Sequence, residues 1–226
     1  IISSVYFARD LINTPSNDMT PSDLAKAAVS LKQKNLSVKI LEKKDAEKLG
    51  MGAYLSVAKG SKEPPKFIVL EYKGSKGKPL ALIGKSITFD SGGISLKPSD
   101  GMEKMKYDMA GGGAVLGVLK AASALKLPVN LIGILPATEN LPGGSATKPG
   151  DIAKAITGKT VEIINTDAEG RLILADAIGY AIKHFKPKAI IDIATLTGAC
   201  SVALGNEAIA MMGNDRKLLD KIKKSA

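Results

Sequence analysis

The chain has 226 residues, 45% of them hydrophobic, which is enough for one large α/β domain or two small ones with a substantial core. Its single cysteine, Cys200, excludes an internal disulfide framework and a cysteine-clustered zinc site. No apolar run reaches the length of a membrane span, and the amino terminus does not look like a signal peptide. We therefore expect a cytoplasmic protein with no membrane partner.

The formal charge of +10 raises the question of nucleic-acid binding. Lysines are scattered along the chain, and only residues 217–224 form a dense basic run. Aromatic residues make up 4% of the chain and tryptophan is missing, so few side chains could stack on bases. The charge pattern favours a solvated basic surface over nucleic-acid binding.

The first part of the chain alternates helical and extended patterns. Residues 2–13 predict a helix that ends before Pro15, and Thr20-Pro21-Ser22-Asp23 predicts the capped start of the next helix. Further elements are predicted as a strand at 38–41, a helix at 44–49 that ends at Gly50, and strands at 67–72 and 80–83.

The second part continues this alternation around two long irregular segments, 84–107 and 138–150, and such loops are usually functional. The predicted elements are a helix at about 109–125, strands at 130–135 and 161–164, a helix at 172–185, strands at 189–193 and 208–212, and a final basic helix. Residues 189–191 are apolar on both faces, which is typical of a sheet covered on both sides. We predict the α/β class, with a mixed, mostly parallel central sheet sandwiched between helices.

Acidic side chains follow two of the predicted strands. Asp90 follows the strand at 80–83, and Asp167 and Glu169 follow the strand at 161–164, while Asp108 precedes Gly111-Gly112-Gly113, whose glycines allow close backbone approach. Functional groups collect at the carboxyl ends of strands in such sheets. If residues 165–171 were extended, Asp167, Glu169 and Arg171 would lie on one side of the chain.

Each of these residues also has a purely structural interpretation. Asp108 could cap a helix, Asp90 could form a turn with Gly92-Gly93, and Arg171 could pair with Glu169. Four carboxylates in apolar, glycine-rich surroundings nevertheless require compensation, and two divalent cations would balance them. Beside two such cations Lys85 could lose its proton and become a nitrogen ligand, while Lys97 would stay charged and stabilise an oxyanion.

Other motifs carry weaker signals. Gly84-Lys85-Ser86 and Gly158-Lys159-Thr160 imitate the end of a phosphate-binding loop, but Pro79 and Ala153 stand where its first glycine is required. His184, the only histidine, ends a predicted helix, and we expect it to be a surface or half-buried residue and not a catalytic base. Ser91 lacks the glycine pattern of a nucleophile elbow, and Cys200 is expected to be a small core residue.

Three segments together resemble the cytosolic leucyl aminopeptidases, a family of metallopeptidases. They are Asn165-Thr166-Asp167-Ala168-Glu169-Gly170-Arg171-Leu172, Thr88-Phe89-Asp90-Ser91-Gly92-Gly93-Ile94-Ser95-Leu96-Lys97-Pro98 and Lys104-Met105-Lys106-Tyr107-Asp108-Met109. The resemblance extends from residues 8–15 to residues 195–199. It implies a two-metal exopeptidase that removes amino-terminal residues, preferentially apolar ones, from peptides with a free amino terminus.

The resemblance also implies roles for individual residues. Lys85, Asp90, Asp108 and Glu169 would hold one metal, and Asp90, Asp167 and Glu169 the other, with the Asp167 carbonyl contributing. The two metals, zinc or manganese, would activate a bridging water. Lys97 would polarise the scissile carbonyl, and Arg171 would hold a bicarbonate that shuttles protons. Met105 would line the pocket for the first side chain of the peptide, and Leu196 would offer its backbone carbonyl to the tetrahedral intermediate.

The chain departs from the family pattern at Ser86, where glycine is more usual, and at residues 110–113. Family members carry an amino-terminal domain and further catalytic-domain sequence, so residues 1–226 are expected to be a catalytic domain incomplete at its carboxyl end. The resemblance implies a homohexamer for the full-length protein. A catalytically silent scaffold, a nucleic-acid-binding relative and a dinuclear phosphohydrolase remain as alternatives at this point.

Overall fold

The computed structural model describes residues 1–205 and 207–225 as two compact units, one of residues 1–195 and one that begins at Leu196. The helices of the first unit are α1 Ile2–Asn13, α2 Pro21–Ser30, α3 Lys43–Leu49, α4 Gly52–Ala58, α5 Ala110–Ala124 and α6 Glu169–Phe185. Its strands are β1 Leu36–Leu41, β2 Lys66–Lys73, β3 Leu80–Gly84, β4 Ser86–Asp90, β5 Asn130–Asn140, β6 Ile152–Lys154, β7 Thr160–Glu162 and β8 Ala189–Ile193. A 3-10 helix, Met102–Met109, precedes α5.

The central sheet has the strand order β1-β2-β5-β3-β8, and β4 also pairs with β5. The pairings of β5 with β3 and β4, and of β3 with β8, are parallel, whereas β1-β2 and β2-β5 are antiparallel. Strands β3 and β4 follow one another along the same side of β5, and Lys85 lies between them. The sheet is therefore mixed and mostly parallel, as the sequence predicts.

Hydrophobic cores lie on both faces of this sheet. Alternate residues of β2 point to opposite faces. Phe67 packs in a core with α3, α4 and α6, and Ile68 packs in another with α1, α2 and α5. Both side chains are fully buried. The predicted sandwich of sheet between helices is thus confirmed.

Local signals fix several element boundaries. The Thr20 side chain accepts a hydrogen bond from the Asp23 amide, and the Asp23 side chain accepts one from the Thr20 amide, so a capping box starts α2. Gly50 ends α3 with a φ of 74°, a left-handed conformation that glycine adopts without strain. Both boundaries agree with the sequence prediction.

Several predicted elements differ in the structure. Strand β5 continues through residue 140 instead of ending at 135, and the segment expected to be irregular after residue 84 contains β4 and the 3-10 helix. The predicted strand at 161–164 does not belong to the main sheet, because β7 pairs only with β6 in a separate two-stranded sheet. Three residues with one partly buried side chain provide too little apolar surface for a place in the core.

The second unit contains α7 Gly198–Leu204 and α8 Arg216–Ser225. The predicted strand at 208–212 is wrong: these residues form no strand, and Ile209 and Met212 are each 92% exposed. An isolated apolar segment has no paired neighbour to satisfy its backbone groups. Cys200 on α7 is half-buried and belongs to neither core, so its predicted core position is also wrong.

Across residues 1–205 and 207–225, none of the helices combines the length and the apolar character that a membrane crossing requires.

Candidate metal centre

The candidate site is built around Lys85, where β3 gives way to β4. Here the chain leaves the regular pairing with β5: the Lys85 amide donates to the Ile193 carbonyl (2.9 Å), and its carbonyl accepts from the Gly112 amide at the start of α5 (2.9 Å). This contact needs glycine at position 111, because a Cβ there would lie 2.0 Å from the Ile193 oxygen. The predicted close approach of the glycines is confirmed, and it fixes the backbone of Lys85.

The Lys85 side chain is buried among oxygen atoms. Its Nζ lies 2.7 Å from Asp108 Oδ2 and 2.7 Å from Glu169 Oε1, and it donates to the Thr195 carbonyl at 2.8 Å. Burial alone would lower the pKa of Lys85, but the two carboxylates outweigh it and raise that pKa above its usual value. In this arrangement Lys85 is a charged ammonium.

Asp108 is 6% exposed, and for its pKa the effect of burial outweighs that of the neighbouring charges. Burial raises the pKa of Asp108 to about 7, even though Lys85 and the Thr195 hydroxyl, which donates to Asp108 Oδ1 at 2.7 Å, favour its ionised form. Its Oδ2 receives no hydrogen bond of acceptable geometry from the described residues. This buried oxygen therefore has the Lys85 ammonium as its close ionic neighbour, and a cation could stabilise it in the same way.

Lys97 provides a second ammonium on the other side of the cluster. Its Nζ lies 2.9 Å from Asp90 Oδ2 and also pairs closely with Asp167 Oδ1. Burial lowers the pKa of Lys97, but the hydrogen bonds to the two aspartates outweigh it and raise that pKa. Left-handed glycines with φ angles of 90° and 68°, Gly92 and Gly93, turn the chain so that Lys97 returns toward Asp90.

Three acids meet at the centre of the site. Asp90, Asp167 and Glu169 each offer a carboxylate oxygen within 4.8 Å of the others, and burial raises the pKa of Glu169 despite the opposing effect of Lys85. With Asp108, the site contains two more carboxylates than ammonium groups. This excess negative charge and the close approach of several carboxylate oxygens fit divalent cations.

The segment that supplies Asp167 and Glu169 is not extended, so the predicted one-sided arrangement of Asp167, Glu169 and Arg171 is wrong. The Asp167 amide donates to Asn165 Oδ1 (2.8 Å), which turns the chain, and α6 begins at Glu169. Asparagine favours such a turn because its side chain replaces a backbone acceptor. The two acids reach the same site from a turn and from the first residue of a helix.

Three further residues carry a role that the resemblance implies: Arg171, Met105 and Leu196. Arg171 is exposed on α6 and makes no ion pair with any residue of 1–205 or 207–225, so the structural alternative of pairing with Glu169 does not hold. Met105 is half-buried on the 3-10 helix, and Leu196 is an exposed residue of the second unit. The roles of all three stay predictions.

Three polar residues of the site were missed in the sequence. Thr195 contacts both Lys85 and Asp108, whereas Asn140 and Thr166 join the segment around Asp90 to the segment around Asp167. Only Thr195 had an indication in the sequence, its position just after the apolar strand at 189–193.

The structure also bears on the weaker motifs. Ser91 is buried and donates through Oγ to the Asn140 carbonyl (2.8 Å), which is a structural role. His184 is exposed at the end of α6 opposite to Glu169 and stacks on Tyr180, as predicted for a surface residue. Burial and two nearby lysines lower the pKa of His184.

Fold and site together define an α/β protein with a buried lysine and carboxylate cluster that fits divalent cations at one end of its parallel strands. Sequence comparison gives the family. The profile of the cytosol aminopeptidase family, catalytic domain, matches residues 6–226, and the chain belongs to this family.

Curated relatives match along nearly the whole chain. A "Probable cytosol aminopeptidase" of a Geobacter species is 58% identical over 228 residues, which cover 100% of this chain and 46% of the relative. A protein of the same name from Aromatoleum aromaticum is 56% identical, covering 97% of this chain and 45% of the relative. The chain therefore spans about half the length of the curated relatives it matches.

Proposed function

We propose that this chain provides the active site of an aminopeptidase that depends on two divalent cations. The observation that carries the proposal is the cluster of four carboxylates around Lys85 and Lys97 in a member of the cytosol aminopeptidase family. The names of its relatives support the same activity.

The candidate ligands divide into two overlapping sets. Lys85, Asp90, Asp108 and Glu169 would hold one cation, and Asp90, Asp167 and Glu169, together with the Asp167 carbonyl, would hold the other. Cations bound there would lower the pKa of a water molecule and so supply a nucleophile at neutral pH. Lys85 would bind as a neutral amine, because nearby cations oppose the protonation that its carboxylate neighbours favour. Zinc and manganese both suit this mixed ligand set.

The remaining roles concern the substrate. Lys97 would stabilise the negative charge that develops on the scissile carbonyl oxygen, once the cations take over its contacts with Asp90 and Asp167. The exposed guanidinium of Arg171 has no carboxylate partner among the described residues and would hold a bicarbonate as proton shuttle. Met105 would contact the first side chain of the peptide. Leu196 would accept a hydrogen bond from the reacting peptide through its backbone carbonyl.

At the level of the whole protein, we propose a cytoplasmic enzyme that acts on peptides with a free amino terminus and prefers apolar first residues. Residues 1–226 would be one part of the catalytic domain, accompanied by a separate amino-terminal domain, and the subunits would assemble as a homohexamer.

Hydrolysis of a leucyl amide by the intact protein tests the proposal. We expect activity that a chelator abolishes and that zinc or manganese restores. Activity that is insensitive to the chelator, or turnover of a phosphoester in place of the amide, would contradict it. Salt-dependent binding to duplex DNA would support the nucleic-acid alternative instead.

A further inference from the structure

Asn140, the last residue of β5, lies beside Asp90 because of an irregularity in the sheet. The pairing of β4 with β5 shifts register between Ile87 and Asp90: Ile87 lies opposite Thr138, but Asp90 lies opposite Asn140. One extra residue of β4 is thus accommodated as a bulge, a feature that redirects side chains near functional sites. The bulge brings an amide side chain, 4% exposed, against a candidate metal ligand.

The Asn140 side chain joins two separate parts of the site. Its Nδ2 donates to Asp90 Oδ1 at 2.8 Å and to the Thr166 carbonyl at 3.0 Å. Both partners are acceptors, so only the amide nitrogen, with its two hydrogens, can satisfy them together. The backbone of Asn140 adds a third connection, since its carbonyl accepts from the Ser91 amide (3.0 Å).

The two carboxylate oxygens of Asp90 have different partners. Oδ1 accepts from Asn140 and from the Gly92 amide (2.9 Å), whereas Oδ2 faces Lys97 at 2.9 Å. With Oδ1 held by two donors, the carboxylate cannot rotate freely, and Oδ2 remains oriented toward Lys97, which also pairs with Asp167. Hydrogen bonds of this kind to a ligating group fix its orientation and affect metal affinity.

The bond from Asn140 to the Thr166 carbonyl restrains the segment that contains Asp167. Thr166 precedes Asp167 and is itself held by the segment after Asp90: its Oγ1 accepts from the Ser95 amide (2.8 Å) and donates to the Gly92 carbonyl (2.7 Å). Asn140 therefore lies between the two chain segments that supply Asp90 and Asp167. Nothing else among the described side chains hydrogen-bonds to both segments from the sheet.

We propose that Asn140 is a positioning residue that holds Asp90 and Asp167 in the arrangement that two cations require. The inference rests on the proposed function and extends it to a residue that would touch neither cation nor substrate.

The test compares Asn140→Ala with Asn130→Ala in the intact protein. Asn130 is a matched control because it lies at the opposite end of β5 and its side chain also joins backbone groups, those of Gly74, Ser75 and Gly77. Two measurements are needed: Mn²⁺ binding followed by electron paramagnetic resonance, and amide hydrogen exchange of the metal-free protein.

For Asn140→Ala we expect the dissociation constant of at least one Mn²⁺ to rise about 10- to 100-fold, with turnover of a leucyl amide recovering as Mn²⁺ is raised to saturation. In the metal-free protein we expect faster exchange in segments 90–97 and 165–168. Asn130→Ala should leave both measurements at these segments unchanged, although it lowers the melting temperature.

The outcomes separate the inference from the function on which it rests. If the unaltered protein binds no Mn²⁺, the proposed function fails and the inference fails with it. If the unaltered protein binds two ions and Asn140→Ala binds them equally well, only the inference is overturned. Unchanged exchange at 90–97 and 165–168 would also overturn it.

Discussion

Lys85 Nζ lies 2.7 Å from Glu169 Oε1, and this contact joins the end of a central strand to the first residue of α6. The side chains of both residues are about 3% exposed. An ion pair so deeply buried adds stability only if its remaining groups are satisfied, yet removal of one partner leaves an uncompensated charge. Folding stability therefore depends on atoms that the proposed function also uses.

Replacement of this lysine, Lys85→Met, should destabilise the metal-free protein. Asp108 and Glu169 would keep their burial but lose their ammonium partner, a change that typically lowers the free energy of unfolding by about 3–5 kcal/mol. Urea unfolding in the presence of chelator measures this effect. Lys26→Met, which removes an exposed ion pair with Asp23, is the control and should change stability little.

The Lys97→Ala variant separates charge stabilisation from metal binding. Lys97 is proposed to act on the substrate carbonyl without binding a cation, so kcat for a leucyl amide should fall about 100- to 1000-fold while both cations remain bound. Metal analysis of the purified variant checks the second half of this expectation. Loss of one ion would show that the assigned role is wrong, and the exposed Lys104→Ala provides the reference for kcat.

Asp176 on α6 should be important for stability without contributing to chemistry. It is fully buried, and its carboxylate accepts hydrogen bonds from the backbone amides of Tyr54 (2.8 Å) and Ile156 (2.7 Å). Asp176→Ala leaves these buried donors unpaired, and each unsatisfied group costs about 1–3 kcal/mol. Urea unfolding should show the loss, whereas Asp10→Ala, at an exposed position of α1, should not.

The same carboxyl group gives a prediction for pH dependence. Burial raises the pKa of Asp176 above its ordinary value of 3.8, against the opposing effect of the backbone donors. Between these two pKa values the folded state holds a proton that the unfolded state has released, so the contribution of this group to stability falls as pH rises. The unfolding free energy of the unaltered protein minus that of Asp176→Asn should therefore decrease from about pH 4 upward. A difference that increases with pH would contradict this assignment.

A last prediction concerns the backbone at the centre of the site. In Gly111→Ala the new Cβ would meet the Ile193 carbonyl oxygen at 2.0 Å and the Lys85 amide at 2.9 Å, so α5 must move away from the strands. We expect a lower melting temperature and weaker cation binding, because Lys85 and Asp108 would separate. Gly144→Ala, where no atom lies within 4 Å of the added group, should behave like the unaltered protein.

The sequence alone could predict most of the fold because its signals are local. The capping box at Thr20, the glycine at position 50 and the two-sided apolar pattern of β8 each act within a few residues. Strand β5 was predicted five residues too short because its second half contains a proline and polar residues that are buried by the sheet, an effect that neighbouring letters do not reveal.

For the site, the sequence predicted the acids and lysines but not the backbone conformation that brings them together. The family resemblance brought together the acids and lysines, but an extended backbone was expected at Asp167, where the Asn165 side chain makes a turn. Asn140 was missed because a bulge sets its distance from Asp90, and the bulge depends on the register of two strands. Long-range register is a property of the assembled sheet and leaves no short sequence pattern.

The position of Glu169 at the start of α6 also has a consequence for synthesis of the protein on the ribosome. Lys85, Asp90 and Asp108 emerge from the ribosome well before Asp167 and Glu169, and β3, β4 and β5 can pair by then. Until α6 has been made, the nascent chain carries a lysine that lacks one of its two carboxylate partners and an acidic cluster that is still incomplete. Completion of the acidic cluster must therefore be a late event in the synthesis of this polypeptide.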